Sequence, residues 1–271
     1  MATAMQTRSG RGKIEPSAQH NYGSTDVDEI DKQPISSAKR LARLAGVFYL
    51  LVGIFGGFAE GFVDPKMYVA GHAATTAGNV IANSGLVRMG VVAHLLDATF
   101  FVFVALTLYI VLRHVRKSVA RAMLVLVALA SGIIALNAVF QFEGLRVATD
   151  SAYAAAFGTA GSNALILRLL DMQHYGTFIA QVFFGLWLVP LGYLAYKSRM
   201  FPKALGVVLI VAGACYVVDL LAAFLAPGLQ GAIHGFAVIP AGTIAETSMV
   251  VYLLVVGVKT SKPAKGIPAA A

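Results

Sequence analysis

The chain has 271 residues, of which 58% are hydrophobic and only 13% charged, with a mean hydropathy of +0.75. The charged share is about half the ~25% of soluble domains, so a soluble fold is excluded: too few polar groups exist to cover its surface. The formal net charge of +8 does not point to nucleic acid, because most Lys and Arg lie in short segments between apolar stretches and no soluble basic module carries them.

Residues 1–36 lack an apolar core and carry five acids (Glu15, Asp26, Asp28, Glu29 and Asp31), so they read as a disordered tail and not as a signal peptide. Six apolar stretches follow, near 41–63, 89–112, 120–142, 174–196, 204–226 and 235–257. Each is long enough to cross ~30 Å of hydrocarbon. In lipid such a run must be a helix, because only a helix pairs all of its own backbone polar groups. The expected fold is all-α: a six-transmembrane-helix bundle over residues 37–260, followed by a short tail at 261–271.

The loops set the orientation. Lys39, Arg40 and Arg43 precede the first span, and Arg113, Arg116, Lys117 and Arg121 flank the second loop. Lys197, Arg199 and Lys203 fill the fourth, and Lys259, Lys262 and Lys265 follow the last span. The alternate segments hold only Lys66, Arg88, Arg146 and Arg168. The positive-inside rule therefore expects both termini in the cytoplasm and a multi-pass protein of the plasma (inner) membrane. The outer segments 64–88 and 143–173 each contain an alanine-rich stretch, at 72–82 and 152–160, that reads as a short rim helix. A third outer segment, 227–234, is short and holds glycine.

Gly53, Gly57 and Gly61 recur every four residues in the first span, a spacing that lets a neighbouring helix approach closely. Dimerisation through the stripe is the alternative. The one cysteine, Cys215, excludes an intrachain disulfide framework and any multi-cysteine metal site.

Ionisable residues inside spans are costly and mark functional-site hypotheses. With the orientation above, His94 and Asp97 fall in the outer half of the second span and Asp171 and His174 at the outer end of the fourth. Asp219 falls in the outer half of the fifth span, Glu246 near the middle of the sixth, and Glu60 at the outer end of the first. Asn137 and Gln141 lie below Glu143 on the third. The inner halves are almost purely apolar. His94 with Asp97, and Asp171 with His174, stand three residues apart and so share a helix face. Glu60, His94, Asp97, His174, Asp219 and Glu246 are therefore candidates for one ligand site open to the outside.

Three chemistries suit this set. Two His with two or three carboxylates can hold a divalent ion, with His94, Asp97, Asp171 and His174 as candidate ligands. Carboxylates and His in a partly dry cavity can titrate in a proton- or cation-coupled site. Or the carboxylates pair with Arg88, Arg168, His or Tyr and only hold helices in register. No GxSxG, glycine-rich phosphate loop or CxxCH occurs, so nucleophilic catalysis and covalent haem have no support, and no cofactor is specified. His72 and His234 read as rim residues.

The segments 174–219 and 43–63 resemble a bacterial integral-membrane family catalogued as domain of unknown function 4386. The resemblance rests on His174-Tyr175-Gly176, Phe184-Gly185, Gly192-Tyr193, Lys197-Ser198, Pro202, Leu205-Gly206, Gly213, Tyr216 and Asp219. Residues 73–97 are also similar, and the likeness spans roughly 39–260. It implies a six-helix membrane protein and carries no activity with it. The reading is an integral membrane protein that binds or transports a small ligand or ion through a polar site in the outer half. The alternatives are an intramembrane metal-dependent enzyme acting on a lipid or isoprenoid, and a non-catalytic accessory subunit. The lipid bilayer is the expected partner, nucleic acid is not, and nothing fixes the oligomeric state.

Overall fold

A computed structural model describes residues 35–259. The tail at 261–271 lies outside the described residues, as does the tail at 1–36 apart from its last two residues, which open the first helix. In chain order the helices are α1 (Ile35–Phe58), α2 (Asp64–Met67), α3 (Ala73–Ala82), α4 (Ser84–Leu112), α5 (Lys117–Thr149), α6 (Ser151–Ser198), α7 (Lys203–Leu225), α8 (Pro227–Ile233) and α9 (Ile239–Val255). Two π-helical turns, Ala59–Val63 and His234–Val238, join α1 to α2 and α8 to α9. No strand occurs among the described residues.

Six helical units are long and apolar enough to cross a membrane: Ser37–Met67, Ser84–Leu112, Lys117–Thr149, Ser151–Ser198, Lys203–Leu225 and Pro227–Val255. These are the first to sixth spans below, and they make the chain a multi-pass membrane protein. Each span packs beside the next in sequence, and the sixth returns against the first, so the bundle closes into a ring. One half of the ring is filled by Tyr49, Phe101, Leu108, Trp187, Leu191, Leu209 and Met249. A second apolar cluster at the other end gathers Val63, Met67, Ala77, Val80, Val87, Leu145, Ile166 and Leu170 around α3.

The rim differs from the sequence reading in two places. The rim helix expected at 72–82 is present as α3 and the alanine-rich stretch at 152–160 does start a short helix, but the rest of 143–173 is helical too and not loop. The third span runs on to Thr149, and the fourth begins at Ser151. Asp150 caps that start by accepting the Ala152 N–H at 3.0 Å. Gly158 breaks α6 with φ 68° and ψ 168°, a backbone glycine adopts readily, so residues 151–157 form a short helix set off from the long one. Ala, Leu and Arg favour helices whether or not they are apolar enough for lipid, so these helices outrun their hydrophobic cores. The segment 227–234 likewise is helical, as α8.

Both π turns have the same cause. Pro65 and Pro240 lack an N–H and would clash with the carbonyl four residues back, so the preceding turn loosens. The N–H of Asp64 reaches back five residues to Ala59, and that of Ile239 to His234. Such bulges recur at functional sites, and here they carry Glu60 and His234.

The fourth and fifth spans cross closely. A Cβ on Gly185 would fall 2.8 Å from the Gly213 carbonyl oxygen, and one on Gly192 would fall 2.5 Å from that of Gly206. The seven-residue spacing on both helices puts each pair on one face.

Candidate functional site

Three carboxylates tie the spans together between the two apolar clusters. Asp64, at the end of the first π turn, accepts from Gln141 Nε2 at 2.8 Å and Gln173 Nε2 at 2.7 Å, and lies 3.2 Å from His94 Nε2. One carboxylate thus joins the first four spans. Asp219 is fully buried and accepts from Gln181 Nε2 at 2.7 Å and Gln230 Nε2 at 3.3 Å, with His234 Nδ1 2.8 Å away. It joins the fourth, fifth and sixth spans. Glu246 accepts from Tyr49 at 3.1 Å and Tyr216 at 3.0 Å, joining the sixth span to the first and fifth. Gly242 makes room for this last bond, since a Cβ there would fall 2.6 Å from the Tyr216 hydroxyl oxygen.

At the rim, Tyr68 donates to Asp171 at 2.7 Å and stacks on His174 with ring centroids 4.8 Å apart. Burial, then the bond to Asp171, holds the Tyr68 phenol above its ordinary pKa, so it stays a protonated donor.

Two further carboxylates have no such ties. Glu60 and Asp97 make no hydrogen bond among the described residues, and Asp97 is only 3% exposed. Both line a cavity of about 550 Å³, together with Glu246, Thr177, Gln181, Phe184, Tyr216, His234 and Thr243. No Lys or Arg lines it. Gly53, Gly56, Gly57 and Gly61 form its wall on the first span. Glycine at 56 leaves room for the acid, since a Cβ there would sit 3.3 Å from Asp97 Oδ1. A second chamber of about 360 Å³ adjoins the first and shares Glu60, Thr177, Gln181 and His234 with it; Asp64, Tyr68 and His174 close its other side.

The six sequence candidates therefore divide. Glu60, Asp97 and Glu246 face one cavity. Asp219 stands behind its wall, holding Gln181 and His234 in place. His94 and His174 belong to neighbouring networks: His94 contacts Asp64, and His174 lines the second chamber. Although His94 and Asp97 lie three residues apart on one buried face, they serve different neighbours.

The metal candidates His94, Asp97, Asp171 and His174 divide in the same way. Among the described residues, no three His, Cys, Asp or Glu side chains gather so as to hold a metal ion. Nor does any carboxylate among the described residues hydrogen-bond Arg88 or Arg168; the partners of Asp64, Asp171, Asp219 and Glu246 are Gln, Tyr and His, and Glu143 pairs with Arg146 at the surface. His234, read as a rim residue, is an Asp219 partner and a cavity wall. The glycine stripe is also corrected: a Cβ at Gly53, Gly57 or Gly61 would meet nothing within 4 Å, so no helix of this chain packs against it.

Sequence reasoning missed Asp64 because it follows the last residue of the expected first span. The signal was the Asp64-Pro65 pair, which loosens the turn before it and points the carboxylate inward. Gln173, Gln230 and Tyr49 were missed because neutral polar residues in apolar runs carry little cost by themselves.

The family model described as "Domain of unknown function (DUF4386)" matches residues 44–257. No curated protein and no solved structure matches the chain.

Proposed function

The chain belongs to the family of domain of unknown function (DUF4386), and we propose that it binds a small positively charged ligand in the cavity lined by Glu60, Asp97 and Glu246, and carries it toward or across the membrane. One observation supports this above the rest. Asp97 is 3% exposed and faces the cavity with no hydrogen-bond partner among the described residues. A carboxylate withdrawn from water is strongly disfavoured unless something pairs with it. Asp219, the other buried acid among the described residues, is paired by the protein. No Lys or Arg lines the cavity to balance Asp97, and in this reading a cationic ligand supplies the counter-charge.

Register-holding alone explains Asp64 and Asp219, whose bonds are internal and complete. It does not explain Glu60 and Asp97, which add charge and no tie. The size of the cavity suits a small organic cation as well as a hydrated inorganic one.

Both termini face the cytoplasm of the inner membrane in this reading, and the cavity opens to the outer side. The basic clusters support this: Arg43 Nη2 donates to the Val255 carbonyl at 3.1 Å, Arg116 Nη1 to the Tyr193 hydroxyl at 3.4 Å, and Lys259 N to Met200 O at 3.0 Å. They thus draw to the end of the bundle away from the cavity.

The test is thermal stabilisation of the purified protein by Na⁺, K⁺, Mg²⁺, methylammonium and tetramethylammonium. At least one cation raises Tm saturably, and Asp97→Asn removes the shift. No shift with any of them, or the same shift in Asp97→Asn, counts against the reading.

A further inference from the structure

The first and sixth spans meet tightly at one end and part toward the other. A Cβ on Gly46 would fall 2.9 Å from that of Leu253, so the helices touch there. Tyr49 then reaches across to Glu246. Beyond it, Gly53, Gly57 and Gly61 meet nothing within 4 Å and are exposed. On the facing span Ile239 and Thr243 are exposed too, and all five residues line the cavity. The cavity therefore opens sideways, through a slot between two membrane-spanning helices. From residue 53 to residue 61 the slot runs about 12 Å along the helix, at 1.5 Å per residue.

We propose that the ligand enters through this slot from the lipid and is a single-chain amphiphilic cation. This rests on the reading above that the cavity binds a positive charge. The protonated amine head donates to Asp97 and Glu60, and the hydrocarbon tail lies in the slot along the glycine face and Ile239. Each end of the slot carries part of the case. Asp97 is an unpartnered carboxyl group, buried beyond nine-tenths and facing the cavity, which offers a cation a place at the inner end. The outer end has bare glycine backbone, and at Gly53 and Gly57 its carbonyls and N–H groups belong to a helix that pairs them internally, so apolar matter gains from lying there. A hydrated ion entering from water needs no such lateral opening.

A second copy of the chain is the competing occupant of a glycine face. Its first span would bring another Glu60 to the slot and no cation, leaving Asp97 unpaired. The charge of the cavity thus favours the amphiphile.

The test uses the full chain in lipid nanodiscs with two probes, methylammonium and dodecylammonium, and two proteins, wild type and Gly57→Leu. Position 57 has open space around it, so the added side chain fills the slot and leaves the helix contacts in place. Comparing proteins in identical nanodiscs cancels the partitioning of the amine into lipid. The expected result is that Gly57→Leu weakens dodecylammonium at least tenfold more than it weakens methylammonium. Equal weakening of both probes, or no weakening, overturns lateral entry. Wild type that binds methylammonium and not dodecylammonium also overturns it, and leaves the cation site standing. Binding of neither probe defeats the cation reading itself. A shift from dimer to monomer in Gly57→Leu with no change in selectivity assigns the slot to a contact between copies.

Discussion

Asp97 on the second span lies against the bare backbone of Gly56 on the first, with Oδ1 3.3 Å from the place a Cβ of residue 56 would take. The acid is thus kept beside the cavity by the absence of a side chain opposite it. Gly56→Val fills that space and pushes the carboxylate out of position. The expected outcome is about a tenfold loss of cation affinity, roughly 1.4 kcal/mol, in a protein that elutes normally in gel filtration. Calorimetry on the variant checks it.

Asp97 and Asp64 separate function from stability. Asp97 has no protein partner, so Asp97→Asn removes a costly buried charge and breaks no bond. Unfolding in mixed micelles is expected to show equal or higher stability, by up to about 2 kcal/mol, alongside lost ligand binding. A loss of stability in Asp97→Asn would mean that the carboxylate is held by the protein after all.

Asp64→Ala is expected to do the reverse. It leaves Gln141, Gln173 and His94 facing an empty site, and interhelical bonds in membranes average ~0.6 kcal/mol while broken buried pairs reach about 3–5 kcal/mol. The expected cost is about 2–4 kcal/mol of stability, read from the same unfolding curves. A cost within error of zero would remove Asp64 from its place as the tie between the first four spans.

The glycines divide into two kinds with opposite outcomes. Gly192→Ala puts a Cβ 2.5 Å from the Gly206 carbonyl oxygen, so the fourth and fifth spans must part. Sharply reduced expression or Tm is expected. Gly53→Ala meets open space and gains helix propensity of about 0.8–1 kcal/mol; its Tm is expected to match or exceed wild type. If both variants behave alike, the distinction between crossing and cavity glycines fails.

The spans were legible because a run of twenty apolar residues has one solution in lipid. Their ends were not, since hydropathy reports what lies in hydrocarbon and the helices run past it: the third span continues to Thr149 and the fourth starts at Ser151. Glu60, Asp97 and Glu246 were legible as costly residues at a shared depth, and they do face one cavity. Their separation from Asp219, His94 and His174 was not legible, because it depends on which neighbour each side chain meets across the ring. Asp64 and His234 escaped for a local reason: each sits at a proline-loosened π turn, where the simple spacing of helix faces no longer holds. The stripe of Gly53, Gly57 and Gly61 shows the limit most plainly, since the same spacing serves a tight crossing or an open wall. At Gly185 and Gly213 it is the crossing.

The most direct test of the cation site is isothermal titration of purified, lipid-reconstituted protein with methylammonium, comparing wild type with Asp97→Asn and Glu60→Gln. The predicted result is a saturable heat with wild type, with affinity at least tenfold weaker in each variant, both of which remain folded. Equal affinity in all three proteins, or no saturable heat with wild type, would contradict a cation held on these two carboxylates.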